Sequence, residues 1–209
     1  MNRRLGVLIS GRGSNLQAII DAIASGSLRA SIAIVISNRS DAAGLQRAEA
    51  AGIETLVLRP KEFADRGAYD RAIAQELKKR DIAVVCLAGY MRLIGQPLLD
   101  TFPNRILNIH PSLLPAFPGL DAQQQALAHG VRVAGATVHL VNEELDGGAI
   151  IAQASVAVLP DDTVQTLSAR ILEQEHRLYP NAIETILNGG WTVEGRRFLS
   201  SVMPPPAEV

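Results

Sequence analysis

The sequence predicts an α/β protein: a Rossmann-like, mostly parallel twisted sheet with helices on both faces and an antiparallel edge strand. Three observations predict it. Short apolar runs alternate with stretches in which apolar residues recur at helical spacing, the pattern of repeated strand-helix units. The runs at 5–9 and 82–87 contain no polar side chain, as strands covered on both faces require. A glycine-rich turn, Gly11-Arg12-Gly13, joins the first run to the first helix.

Residues 5–9 form the first strand, and Leu16, Ile19, Ile20 and Ile23 then hold helical spacing until Gly26. A second strand (32–36), a second helix (42–51) closed by Gly52 and a third strand (55–58) follow, and Pro60 breaks the pattern. Tyr69, Ile73 and Leu77 make one stripe of a helix over 65–79, ahead of a fourth strand at 82–87. Residues 106–109 form a buried strand ended by Pro111. A helix is expected at 120–127. Beyond it lies a strand over 134–141, with Thr137, His139 and Val141 on the face opposite Val138 and Leu140, then an antiparallel edge strand at 150–158. Asp161-Asp162-Thr163 caps the last long helix, Asp162 and Gln165 making a capping box. Its stripe is Val164, Leu167, Ile171, Leu172 and Tyr179; Pro180 interrupts it, and it stops at Gly189-Gly190. A small hairpin uses Thr192-Val193 and Arg197-Phe198, and Met203-Pro204-Pro205-Pro206 reads as a disordered tail. The expected organisation is one domain over 1–190, with the hairpin and Pro-rich tail at 191–209.

The 209 residues, 47% of them hydrophobic, suffice for a substantial core. With 20 basic and 21 acidic residues the net charge is −1, so no global field favours nucleic acid or an anionic membrane. The one cysteine, Cys86, lies in an apolar run and reads as an inert buried thiol. The first apolar run is too short for a signal sequence or a membrane span, so the expected compartment is the cytoplasm.

Candidate chemistry sits at strand ends, where such sheets bind ligands. In the first turn Gly13, Ser14 and Asn15 offer backbone N–H groups, a hydroxyl and an amide to an anion. The third glycine of a dinucleotide fingerprint is replaced by Leu16, which favours a lone monophosphate. An ordinary tight turn, or an NADP site using Arg39 and Ser40, are the alternatives. Residues 88–94 spend many apolar side chains on a loop, so they line a pocket or plug the core. Asn108 and His110 share one face of their strand, as a catalytic pair or as a core histidine beside a turn asparagine. His139 belongs either to the same crevice or to the core. Asp146 sits in an acidic turn, solvated or folded back by Gly147-Gly148. Glu175 falls on the apolar stripe of the last helix, where it meets a substrate or an arginine. Asn108, His110 and Asp146 include no serine or cysteine nucleophile, which suits direct acyl transfer to an amine. Asn108 and His110 would stabilise an oxyanion, and Asp146 would hold the imidazolium and take the amine proton.

Four segments carry a resemblance: Ile9-Ser10-Gly11-Arg12-Gly13-Ser14-Asn15-Leu16-Gln17, Leu87-Ala88-Gly89-Tyr90-Met91-Arg92, Asn108-Ile109-His110-Pro111-Ser112-Leu113-Leu114-Pro115 and Glu144-Leu145-Asp146-Gly147-Gly148. In order and register, over about residues 5–187, the chain resembles the phosphoribosylglycinamide formyltransferases of purine synthesis. The resemblance implies direct transfer of a formyl group from 10-formyltetrahydrofolate, a co-substrate, to the glycinamide amine of the ribotide, through a tetrahedral intermediate and without a metal. It implies that Asn108, His110 and Asp146 are catalytic, that Gly13, Ser14 and Asn15 hold the ribotide phosphate and that Glu175 binds the ribose. It assigns folate contacts to Arg66, Met91, Arg92, Leu93, Ile94, Asn108, Asn142, Glu143, Glu144, Leu145 and Asp146. The chain departs from the pattern at Ala116, Asp121, Gln123 and Ala149.

The strand-end motif fixes formyl-folate chemistry but not the acceptor. Methionyl-tRNA formyltransferase carries an added nucleic-acid-binding domain and lacks the first-loop motif; formyltetrahydrofolate hydrolase carries an added N-terminal domain. Neither extension is expected within this length. Expected partners are small molecules, with the chain a monomer or homodimer. A non-catalytic nucleotide-binding module and an NADP reductase are the readings from other classes.

Overall fold

The computed structural model describes residues 2–200. It divides into two compact units, one up to Asn108 and one from Ile109 onward. In the first unit, strands β1 (Arg4–Ile9), β2 (Ser31–Ser37), β3 (Thr55–Val57), β4 (Val84–Leu87) and the start of β5 (Ile106–His110) form a wholly parallel sheet in the order β3-β2-β1-β4-β5. β1 is central because Leu5, Val7, Leu8 and Ile9 are fully buried, with no polar atom to lose to either face. Helix α1 (Ser14–Ala24) packs with α2 (Gly44–Ala50), and α3 (Arg66–Lys79) with α4 (Gln96–Thr101). The expected α/β class is thus observed, with strand ends within two residues of the sequence reading. The two-turn α4 was not expected. It begins at Gln96-Pro97, where proline's fixed φ and missing N–H suit a first helical turn.

In the second unit α5 (Ala122–Ala128), β6 (Val133–Leu140), β7 (Ile150–Ala157), α6 (Val164–Asn188), β8 (Trp191–Glu194) and β9 (Arg197–Ser200) follow, the strands ordered β6-β7-β9-β8. β7 is antiparallel to β6 as expected, but it is not the edge: β9 joins its other side through Ile150 and Arg197, and β8 takes the edge antiparallel to β9. β6 is covered on both of its faces, every residue from Ala134 to Leu140 being buried. Its core side meets Leu167 and Ile171 of α6, both fully buried with Ala136. α5 begins two residues later than expected, leaving Leu120 outside it and 75% exposed.

Two expectations for α6 are corrected. Pro180 does not interrupt it; one continuous helix runs from Val164 to Asn188. A single lost N–H donor is offset because Tyr179, Pro180, Ala182 and Ile183 are all buried around the proline. The capping box is built not by Asp162 and Gln165 but by Thr163 and Thr166, each hydroxyl accepting the other's backbone N–H. Asp162 instead pairs with Arg170 at 2.8 Å and accepts the Leu159 N–H. Thr163→Ala should lower stability by about 1 kcal/mol in urea titrations while leaving the m-value unchanged. The tail expected at 203–206 lies outside the described residues.

Candidate active site

β5 delivers His110 to a turn where both of its ring nitrogens meet acceptors. Nε2 is 2.9 Å from the Phe117 carbonyl oxygen and Nδ1 is 3.5 Å from Asp146 Oδ2, with His110 only 5% exposed. Asp146 faces a second imidazole on its other side. His139 Nε2 lies 3.5 Å from Oδ1, and His139 Nδ1 is 2.9 Å from the Leu140 carbonyl oxygen. The Gly119 N–H donates to Oδ2 at 2.8 Å. Burial pushes the Asp146 carboxyl up, but the His139 hydrogen bond, the Gly119 N–H and the charges of His110 and His139 outweigh it, leaving it below the ordinary carboxylate range. Asp146 is therefore ionised at neutral pH. It stabilises the fold above the usual carboxylate value of about 3.9, and that contribution is lost as pH falls through its lowered folded value.

The backbone that holds this cluster is constrained. Phe117 and Asp146 have φ of 52° and 50°. Aspartate tolerates the left-handed region, whereas for phenylalanine it costs of order 1 kcal/mol, which the neighbouring loop must absorb. That loop is fastened to the strands beside it. Thr137 Oγ1 on β6 donates to the Ser112 carbonyl at 2.7 Å and accepts from Leu114 N–H at 3.0 Å, while Gln153 on β7 donates to Leu114 O and Thr137 Oγ1. Ser112 Oγ donates to Ala116 O at 2.6 Å.

In the first unit the glycine turn is shaped by its neighbours. Gly13 caps α1 at φ 71°, and a Cβ there would lie 2.6 Å from Gly44 Cα. Gly44 N–H donates to Gly11 O at 3.0 Å, and Arg47 Nε to Arg12 O at 3.0 Å. No side chain caps α1, whose first turn carries Ser14 and the buried Asn15. Ser10 ties the next loop in place: its N–H donates to Gly89 O and its Oγ accepts the Met91 N–H at 2.8 Å. Met91 and Leu93 are 68% and 58% exposed, while Ile94 is buried.

Residues 3–183 match the family model described as Formyl transferase. The chain belongs to the formyl transferase family. It is 45% identical over 194 residues to the phosphoribosylglycinamide formyltransferase of Haemophilus influenzae, covering 93% of this chain and 89% of that one. It is 47% identical over 189 residues to the trifunctional purine biosynthetic protein adenosine-3 of Drosophila melanogaster. That match spans 90% of this chain but only 14% of the much longer relative. Among solved structures, glycinamide ribonucleotide transformylase 1 from Symbiobacterium toebii superposes with a TM-score of 0.93 at 55% identity, covering 94% and 93% of the two chains.

In this formyl transferase, the sequence-derived candidates divide by unit. Gly13, Ser14, Asn15, Arg66, Met91, Arg92, Leu93, Ile94 and Asn108 lie in the first; His110, Asp146, Asn142–Leu145 and Glu175 lie in the second. Glu175 is buried on the α6 stripe, as its spacing predicts. Asn142 Oδ1 accepts the Glu144 N–H, while Glu143, Glu144 and Leu145 are exposed. His139, readable two ways from sequence, belongs to the Asp146 cluster. Thr137, Gln153, Ser10 and Asp70 were not anticipated. Thr137 shares a strand face with His139 and Ser10 lies in the first-loop segment, while Asp70 stands one position along from Tyr69 on a buried stripe. No helix among the described residues is long and apolar enough to cross a membrane, and none of their His, Cys, Asp and Glu groups forms a metal-binding set.

Proposed function

We propose that the protein transfers the formyl group of 10-formyltetrahydrofolate to the glycinamide amine of 5-phosphoribosylglycinamide, by direct transfer through a tetrahedral intermediate, in cytoplasmic purine biosynthesis. The observation that carries this reading is Asp146 held ionised against His110, two residues beyond Asn108 on the same strand. The amine lone pair attacks the formyl carbon, and the carbonyl oxygen becomes an oxyanion. The Asn108 amide and a His110 N–H stabilise that oxyanion, the imidazole giving up Phe117 O to do so. The amine proton passes to Asp146, directly or through water. The bond from the formyl carbon to N10 then breaks, N10 takes a proton, and the formylated ribotide and tetrahydrofolate leave. Gly13, Ser14 and Asn15 hold the phosphate and Glu175 the ribose hydroxyls. Arg66, Met91 to Ile94 and the 142–146 turn contact the folate. The working domain is residues 1–190, acting on small molecules as a monomer or homodimer.

Purified protein given both substrates should release tetrahydrofolate only when the ribotide is present. A nucleotide-binding module or an NADP reductase would release none. Glu175→Ala should raise the ribotide KM by about 10- to 100-fold, the loss expected for charged hydrogen bonds, with the folate KM unaffected.

A further inference from the structure

Asp70 is a carboxylate that the proposed chemistry leaves unused, yet it is only 2% exposed. Burying an ionisable group is costly, and a leucine at this position on α3 would pack without that cost. Its short bond runs to the residue that joins the 90–95 segment to α4: Oδ2 accepts the N–H of Gly95, the N-cap of that helix, at 2.8 Å, and Arg66 Nε lies 3.9 Å from the same oxygen. Gly95 leaves room for that oxygen, since a Cβ there would collide with it. Neighbouring residues of the same helix and loop make two more ties. Tyr69 and Tyr90 share a buried O–H···O bond of 3.0 Å, and the Arg92 guanidinium sits 5.3 Å over the Tyr69 ring. Three tethers from adjacent residues of one helix thus fix residues 90, 92 and 95, between which Met91 and Leu93 stand exposed. Exposed apolar side chains on a tethered backbone form a prepared platform rather than a mobile loop.

We propose that Asp70 is a positioning residue for the folate-contacting segment, its side-chain oxygen holding the Gly95 N–H so that residues 90–95 present one fixed surface to the formyl donor. The inference rests on the formyl-folate reading given above. Burial raises the Asp70 carboxyl above the ordinary range against the opposing pull of Gly95 N–H, Arg66 and Arg92. The folded state therefore favours its protonated form; the stability this brings is present below the ordinary carboxylate range and lost as pH rises. At neutral pH Asp70→Asn should accordingly melt no lower than the wild type.

Asp70→Ala should raise the KM for 10-formyltetrahydrofolate by at least about fivefold, with kcat and the ribotide KM within about twofold. Asp70→Asn, whose amide oxygen still accepts Gly95 N–H, should return the folate KM to within about twofold of wild type. Hydrogen exchange on the wild type reads the tether without a variant: the Gly95 amide should be protected. An unchanged folate KM in folded Asp70→Ala, an Asn variant as weak as the Ala variant, or an unprotected Gly95 amide would each overturn the proposal. Failure of the wild type to transfer formyl at all would instead overturn the function on which it rests.

Discussion

His110→Ala should lower kcat by about three orders of magnitude while moving the ribotide KM by less than about threefold. The imidazole is asked for two contributions, donation to the developing oxyanion and a charge partner for Asp146, and each is worth about 10²-fold or more in an enclosed site. Ribotide binding uses other residues in the proposed reading, so the loss belongs in kcat. Asn108→Ala removes one oxyanion donor and should cost about 10² to 10³ in kcat. Asp146→Asn retains an acceptor for Gly119 N–H but removes the charge between His110 and His139, so it should fold and turn over slowly. Single-turnover rates with both substrates saturating check all three; a His110→Ala rate within tenfold of wild type, about 1.4 kcal/mol, would remove that residue from the chemistry.

Gly148→Ala is expected to damage both stability and rate. A Cβ at this position would run into the Leu140 carbonyl oxygen on β6, and backbone cannot step aside as a flexible side-chain tip can. The neighbouring Leu140 N–H to Ala149 O bond of 2.9 Å locks the returning chain against β6, so relief requires shifting residues 146–148 as a unit. Such a shift takes Asp146 away from His139 and His110. We expect a loss of about 3 kcal/mol or more in denaturant titrations and a fall in kcat beyond what stability explains. Gly11→Ala is the control: nothing lies within 4 Å of its would-be Cβ, and its stability should stay within about 0.5 kcal/mol of wild type. Equal behaviour of the two variants would refute the steric argument.

Features set by local chain chemistry were legible in the sequence. Pro111 follows the end of β5, on which Asn108 and His110 share one face, and Gly13 marks the start of α1. What escaped was either short or decided by distant neighbours. α4 spans too few turns to show a period. The capping box used threonine at its third helical position, where glutamate or glutamine is the usual signal. β7 reads as an edge strand because the β9 pairing rests on one register pair contributed from forty-seven residues further along the chain, Ile150 with Arg197. His139 could not be assigned from β6 alone because its partner, Asp146, comes from the following turn, whose fold-back depends on the glycines after it. Asp70 is not legible in the sequence because a polar residue beside an apolar stripe looks solvated until the loop that covers it is placed.

Direct transfer is read from where the formyl carbon goes. With 13C-formyl-labelled 10-formyltetrahydrofolate and the ribotide, the first turnover of the wild type should place the label on the glycinamide nitrogen, and the same mixture with His110→Ala should leave it on folate. Label recovered as free formate, or attached to the protein, would contradict direct transfer by this site.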